Sequence, residues 1–294
     1  MKNILLLILI SIIMFGCDDF TSEQRYKDDY YVITGLLYEG EPIYDVFIGR
    51  TISPGGSLTD FNIPDADVEI EEFNENGEFV QTIPLTYFEF QGFGIYADAT
   101  MSNLVTEGYS YKISAQIGEE LVWAETDMPG SILINEDEAF TFDENAADFP
   151  DLSYATADSE HPIIIQTDSN DEINLMFKFL CLEEFEDEPQ YVFSFGSHNT
   201  PDDLEEYEAN QELEFYSSYL PVWNEELQSF AITERSYSGP FVYYGDYEIT
   251  IYSISRNYYN YLYKPDGYAH GGIHNGFGYF GAVSGEAMYT EVVE

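Results

Sequence analysis

From residue 30 onward, apolar and polar residues alternate in short runs. In "ADVEIEEF" (66–73), Val68 and Ile70 interleave with Asp67, Glu69 and Glu71, the period of two that sends successive side chains to opposite faces of a strand. This pattern turns Val68, Ile70 and Phe73 inward and the three acids to water. The same habit runs through "YYVITGLLY" (30–38), "YDVFIGR" (44–50), "GEFVQTI" (77–83), "YSYKISAQI" (109–117) and "ELVWAET" (120–126), with "SPGG", "NENG" and "IGEE" between them. Short β-rich runs punctuated by Gly, Asn and Pro predict antiparallel strands joined by tight turns. Residues 30–130 therefore read as an Ig-like antiparallel β-sandwich domain.

Beyond Pro129 and Gly130 the pattern lapses. Residues 131–160 contain "NEDEAFTFDENAADFPDLSYATADSE", dense in acids and without strand periodicity, and read as an acidic connection or long surface loop. Residues 161–294 form a second β-rich domain, with strands predicted at "PIIIQT" (162–167), "INLMFKFLCL" (173–182), "YVFSF" (191–195), "PFVYYG" (240–245) and "YEITIYSI" (247–254). One or two short helices interrupt it. In "TPDDLEEYEA" (200–209), Thr200 stands as N-cap before Pro201, and acids fill the first turn, where they complement the helix dipole. In "SRNYYNYLYK" (255–264), Ser255 is placed to cap while Tyr258, Tyr259, Leu262 and Tyr263 share a face. The expected fold class is mainly β.

The first sixteen residues follow a different pattern. "ILLLILISIIMF" (4–15), preceded by Lys2 and followed by Gly16 and Cys17, is too short for a spanning helix, which needs roughly 20 apolar residues, and reads as a signal peptide over 1–16. Cys17 stands where a bacterial lipoprotein carries its acylated thiol, although Met14 and Phe15 replace the Leu and the small residue usual before it. An ordinary signal peptide with an incidental cysteine is the plainer alternative. Residues 17–29 then form a polar, lipidated tether, anchored to the membrane and not spanning it; several acyl chains hold where one gives only marginal binding. The remaining thiol, Cys181, lies in an apolar run and reads as a small buried hydrophobe, so no internal disulfide is expected.

Charge narrows the partners. Against 56 Asp and Glu stand 9 Lys and Arg, a net charge of -47, which repels phosphate backbones and anionic headgroups. Nucleic acid is excluded as a partner, and anchoring falls to the lipid. Hydrophobic residues at 45% and aromatics at 17%, with 26 Tyr and 22 Phe, argue for a folded, sheet-rich body over a disordered acidic chain. The acidity serves solubility; a specific Ca2+ site is the sharper alternative, and no other cofactor is indicated.

Candidate chemistry is sparse. "DGYAHGGIHNG" (266–276) brings His270 and His274 near Asp266, but Gly271 and Gly272 oppose the helix that would align the imidazoles for zinc, so a turn is expected and no metal site is assigned. "DSNDE" (168–172) resembles a calcium loop without the EF-hand glycine and reads as a turn. Nucleophile elbows, phosphate loops and the helical zinc-protease motif do not occur in the sequence. The tyrosine runs "YYNYLY" and "FVYYGDY" suit either a carbohydrate or peptide groove, or the two sides of a sheet. The chain is thus expected not to be an enzyme, a hydrolase using a carboxylate pair being the alternative.

"YEITIYSISRNYYNYLYK" followed by "GGIHNGFGYFGAVSGEAM", together with "YVITGLL", "ADVEIEE" and "GYSYKISA", resembles the family of Bacteroidota lipoproteins described as domain of unknown function 4249, over residues 30–294. "DVFIGRTIS" matches its second strand in part. The resemblance implies an outer-membrane lipoprotein acting as a binding or accessory module for a TonB-dependent receptor. It also implies that Asp18 and Asp19, directly after Cys17, belong to the signal that sends such a lipoprotein to the cell surface. The competing expectation, motivated by charge, is a calcium-dependent structural adhesin.

Overall fold

The computed structural model describes residues 30–51, 61–90, 93–153, 161–166, 174–183, 192, 222–224, 229–232, 241 and 243–294. The helix predicted at 200–209, the turn at 168–172 and all but Val192 of the strand at 191–195 lie outside them, as do residues 1–29.

The chain is mainly β. Its first strands are β1 (Tyr31–Tyr38), β2 (Val46–Arg50), β3 (Asp67–Phe73), β4 (Phe79–Phe90), β5 (Phe93–Ala97), β6 (Ser110–Ile117) and β7 (Glu120–Asp127). After them come β8 (Leu133–Ile134), β9 (Asp151–Ser153), β10 (Ile163–Gln166), β11 (Leu175–Cys181), β12 (Val222–Asn224), β13 (Ser229–Ile232) and β14 (Gly245–Ile254). Helix α1 (Arg256–Tyr263), a short 3-10 turn (Gly267–Ala269) and the long β15 (Gly276–Val293) close the chain. A mixed sheet runs in the order β11-β14-β15-β1-β2-β5-β4-β3-β6-β7, with β9 beside β15, and a smaller sheet runs β12-β13-β10-β8.

β4 makes the sandwich. Its first half pairs with β3 and its second half with β5, so one strand carries the sheet around a corner. The two halves enclose one core, in which Ile33, Ile48 and Tyr96 join Val68, Ile113 and Val122. Tyr96 pins the corner by donating its hydroxyl to the Ile63 carbonyl at 2.6 Å.

A second core lies between the small sheet and β11, β14 and β15, built from Ile163, Ile165, Phe177, Phe179, Phe230, Ile249, Ile251 and Met288. The acidic stretch after residue 130 feeds this core, because Ile132, Ala139, Phe140 and Leu152 are buried in it. Its backbone is pinned too: β8 pairs with β10, β9 pairs parallel with β15, and Thr141 bridges Tyr289.

β15 belongs to both cores. Phe280 and Ala282 enter the first and Met288 and Val292 the second. It pairs parallel with β1 and antiparallel with β14, so the first and last strands of the described chain lie side by side. Gly278 makes that pairing possible. It adopts φ +103°, and a Cβ there would strike the Ile33 carbonyl.

Three local expectations change. Phe73 is only half-buried and Glu72 is buried instead, 3% exposed, because the period of two set by Val68 and Ile70 falls on position 72, and the register to β4 shifts only after it. Glu72 accepts hydrogen bonds from Tyr111 Oη at 3.1 Å and Gln81 Nε2 at 2.8 Å, the partners a buried carboxylate requires. Ser255 does occupy the N-cap of α1, but its side chain caps nothing in the helix; its Oγ accepts from the Ala282 amide at 3.0 Å and so fastens the helix start to β15. Of the strand predicted at 240–245, the described Phe241, Tyr243 and Tyr244 belong to no strand, and Gly245 opens β14, the strand predicted at 247–254.

Candidate functional site

The histidine loop is a clasp. Asp266, with φ 56°, precedes the 3-10 turn, and His270 ends it on the exposed surface. His274 stacks flat on Trp123, ring centroids 3.8 Å apart and planes within 7°, and the two backbones exchange hydrogen bonds at 2.8 and 3.3 Å. The loop thereby ties the entrance of β15 to β7. Among the described residues, no group of three or more His, Cys, Asp or Glu is placed to hold a metal ion.

Cys181 is buried at 6% exposure in the second core, and burial pushes its thiol up to about 11. Such a thiol stays protonated and unreactive at neutral pH.

A pocket of about 340 Å³ opens where the two cores meet, lined by Glu39, Ser131, Leu133, Ser284 and Glu286 among others. Glu39 follows β1, Ser131 opens the acidic stretch, and Ser284 and Glu286 lie in β15. Ser284 donates its hydroxyl to the Glu39 carboxylate, Ser131 donates to it at 3.4 Å, and the Ile134 amide donates to Glu286 at 3.5 Å. Both glutamates are half-buried. Two carboxylates and two hydroxyls converging on one cleft suit a hydroxyl-rich or cationic ligand, and they are the groups that acid–base hydrolysis uses. No local pattern marks Glu39 and Glu286 in the sequence, since only the β1·β15 pairing makes them neighbours.

The tyrosines form a third cluster on the outer face of the sheet. Helix α1 crosses β15 at Gly281, where a Cβ would lie 2.6 Å from that of Tyr258. Tyr258 and Tyr261 pack on Tyr279 at 5.0 and 4.5 Å, and Tyr38 packs on Tyr252 and Tyr44 at 6.3 and 6.4 Å. Burial, then Tyr261 and Asp45, pushes Tyr279 up to about 12; burial, then Glu41, does the same for Tyr44. These phenols remain neutral donors and acceptors at physiological pH.

At the far end of β15 lies an acidic corner. Burial raises the pKa of Asp246, with Glu183 and Asp148 adding to it. Burial also raises Glu291, with Asp246 and Asp151 next.

Cys17, Asp18 and Asp19 lie outside the described residues. Comparison with curated proteins gives no match. The family model described as Domain of unknown function (DUF4249) matches residues 18–286. That span takes in the first core, all of the second but the end of β15, the seam pocket and the tyrosine cluster, and the chain belongs to this family.

Proposed function

We propose that the chain is an outer-membrane, surface-exposed lipoprotein that serves as a binding or accessory module for a TonB-dependent transport partner. Cys17 carries the acyl anchor, palmitate among its chains, and Asp18 and Asp19 form the surface-export signal. The observation that carries the reading is the apolar leader ending in Gly16–Cys17 and followed at once by two aspartates, in a chain of this family. The half-buried tyrosines of α1, β1, β14 and β15 support a binding role, because such rings combine apolar area with a polar tip. Affinity capture of the tagged protein from solubilised outer membranes tests it. Recovery of a TonB-dependent receptor is expected, and repeated recovery of none removes the partnership.

The seam pocket favours a second reading, a carboxylate-based hydrolase, because Glu39 and Glu286 share one cleft. Release of p-nitrophenol from a panel of p-nitrophenyl glycosides, abolished by Glu286→Gln, would support this reading. Absence of turnover across the panel would end it.

A further inference from the structure

The end of the molecule at which the chain enters the fold carries an apron of exposed rings on the outer face of the sheet. Tyr31 pairs with Arg50 and with Gly276, which places the start of β1 beside the end of β2 and the start of β15. β5 runs antiparallel to β2 from the Val46–Tyr96 pair, so Phe93, at its start, lies toward this same end, with Phe90 of β4 opposite it.

Face follows from parity. Ile33, Val46, Ile48 and Tyr96 point into the first core. Their neighbours Val32, Phe47, Ile95 and Phe93 therefore point outward, as does Phe88, which pairs with Ile95. On this face Tyr30 packs against Phe277 at 4.6 Å, and Tyr268 packs against the same ring at 5.3 Å. Phe47 stacks on Phe61 at 4.6 Å. The rings are unusually bare: Phe93 is 71% exposed, Tyr268 53%, Phe88 44% and Tyr30 38%.

We infer that this apron is the face by which the protein sits on the lipid surface that holds its anchor. The inference rests on the lipid-anchored reading of Cys17. Twelve residues, 18–29, separate the anchored Cys17 from Tyr30, a reach of at most about 45 Å, and Tyr30 lies inside the apron. Tyrosine and phenylalanine at a sheet end match the interfacial zone, where a ring has one side in acyl chain and the other in the headgroup layer.

The test uses the full acylated chain, reconstituted into phosphatidylethanolamine–phosphatidylglycerol vesicles whose acyl chains are brominated. Tryptophan is introduced singly as Phe93→Trp, Tyr268→Trp or Phe79→Trp; Phe79 is also exposed but lies eleven residues before Phe90 on β4, about 36 Å up the strand. Loss of fluorescence beyond the wild-type background is expected at 93 and 268 and not at 79. Co-flotation with the vesicles reports the anchor separately. Protein that fails to float removes the lipid-anchored reading itself. Protein that floats while all three positions quench alike, or none does, overturns the docking face and leaves the anchor standing. Loss of receptor capture by Phe93→Ser without quenching at 93 also overturns it, and assigns the apron to a protein partner.

Discussion

The two cores are built by opposite means. In the first, strands of seven or eight residues such as β3 and β6 alternate buried and exposed positions, and neighbours in sequence pair as β3·β4, β4·β5 and β6·β7. In the second, β8 and β10 are two and four residues long, β11 reads buried at nearly every position, and its partner β14 lies far along the chain. Local hairpins bring one buried face each. Strands buried on both sides need distant segments to cover them, so their order is set by tertiary pairing and not by turns. β15 is the beam common to both: a regular strand to the first core through β1, and the organiser of the second through β14.

The largest effect expected follows from that shared strand. Deleting residues 276–294 removes Phe280, Ala282, Met288 and Val292 from the two cores and should abolish any cooperative melting transition; survival of a transition for residues 30–130 would show that the first core folds without its beam. Gly278→Val tests the same joint by a smaller change, since the side chain would meet the Ile33 carbonyl at positive φ.

Single truncations sharpen the comparison. Phe280→Ala and Met288→Ala, both at 0% exposure, should cost about 3–5 and 2–5 kcal/mol respectively. If the two cores unfold as one, calorimetry will show one transition lowered by either variant. Two separated transitions, each sensitive to one variant, would break the picture of a shared beam.

Acid should act on the two regions in opposite directions. Asp98, 3% exposed in the first core's rim, is pushed up by its burial but held down to about 2, from 3.8, by hydrogen bonds from Thr100 and Asn103. A depressed carboxylate stabilises above its unfolded pKa, and that contribution is lost as pH falls from 3.8 towards 2. Asp98→Asn should therefore cost about 2 kcal/mol at neutral pH and nothing at the acid end of that window. Asp246 and Glu291 are raised instead, so the fold binds their protons more tightly than the unfolded chain does. Their charge destabilises as pH rises through the folded values, and Asp246→Asn should raise the melting temperature at neutral pH and leave it unchanged in acid. Denaturant titrations across pH check both signs.

The smallest effect expected is that of calcium. If the 56 acids serve solubility, millimolar calcium should raise the melting temperature no more than sodium chloride of equal ionic strength does. A larger rise would favour the calcium-dependent adhesin.

Much of the fold was legible because alternation is a local signal. Val68 and Ile70 reveal their face within a few residues, and Ser255 marks a helix start. β5 escaped notice because "FGIYA" is short and its Gly94 is covered by Tyr87 from the neighbouring strand. Glu72 escaped because its charge suggests exposure, although the period of two set by Val68 and Ile70 points it inward. The candidate site was the least legible part. Glu39 and Glu286 stand at opposite ends of the described chain, and nothing around either one names the other.

The sequence by itself determined a β-rich acidic body and an apolar run that ends before a cysteine, because composition, charge and a period of two act over a handful of residues. Only the tertiary structure decided that β1 and β15 lie side by side, that a pocket forms where the two cores meet, and that the exposed rings of Tyr30, Phe88, Phe93 and Tyr268 gather at one end of the sheet. Backbone hydrogen bonding is indifferent to side-chain identity, so many pairings of these strands satisfy it. Which one forms is settled by what must be buried, and that is a property of the whole chain.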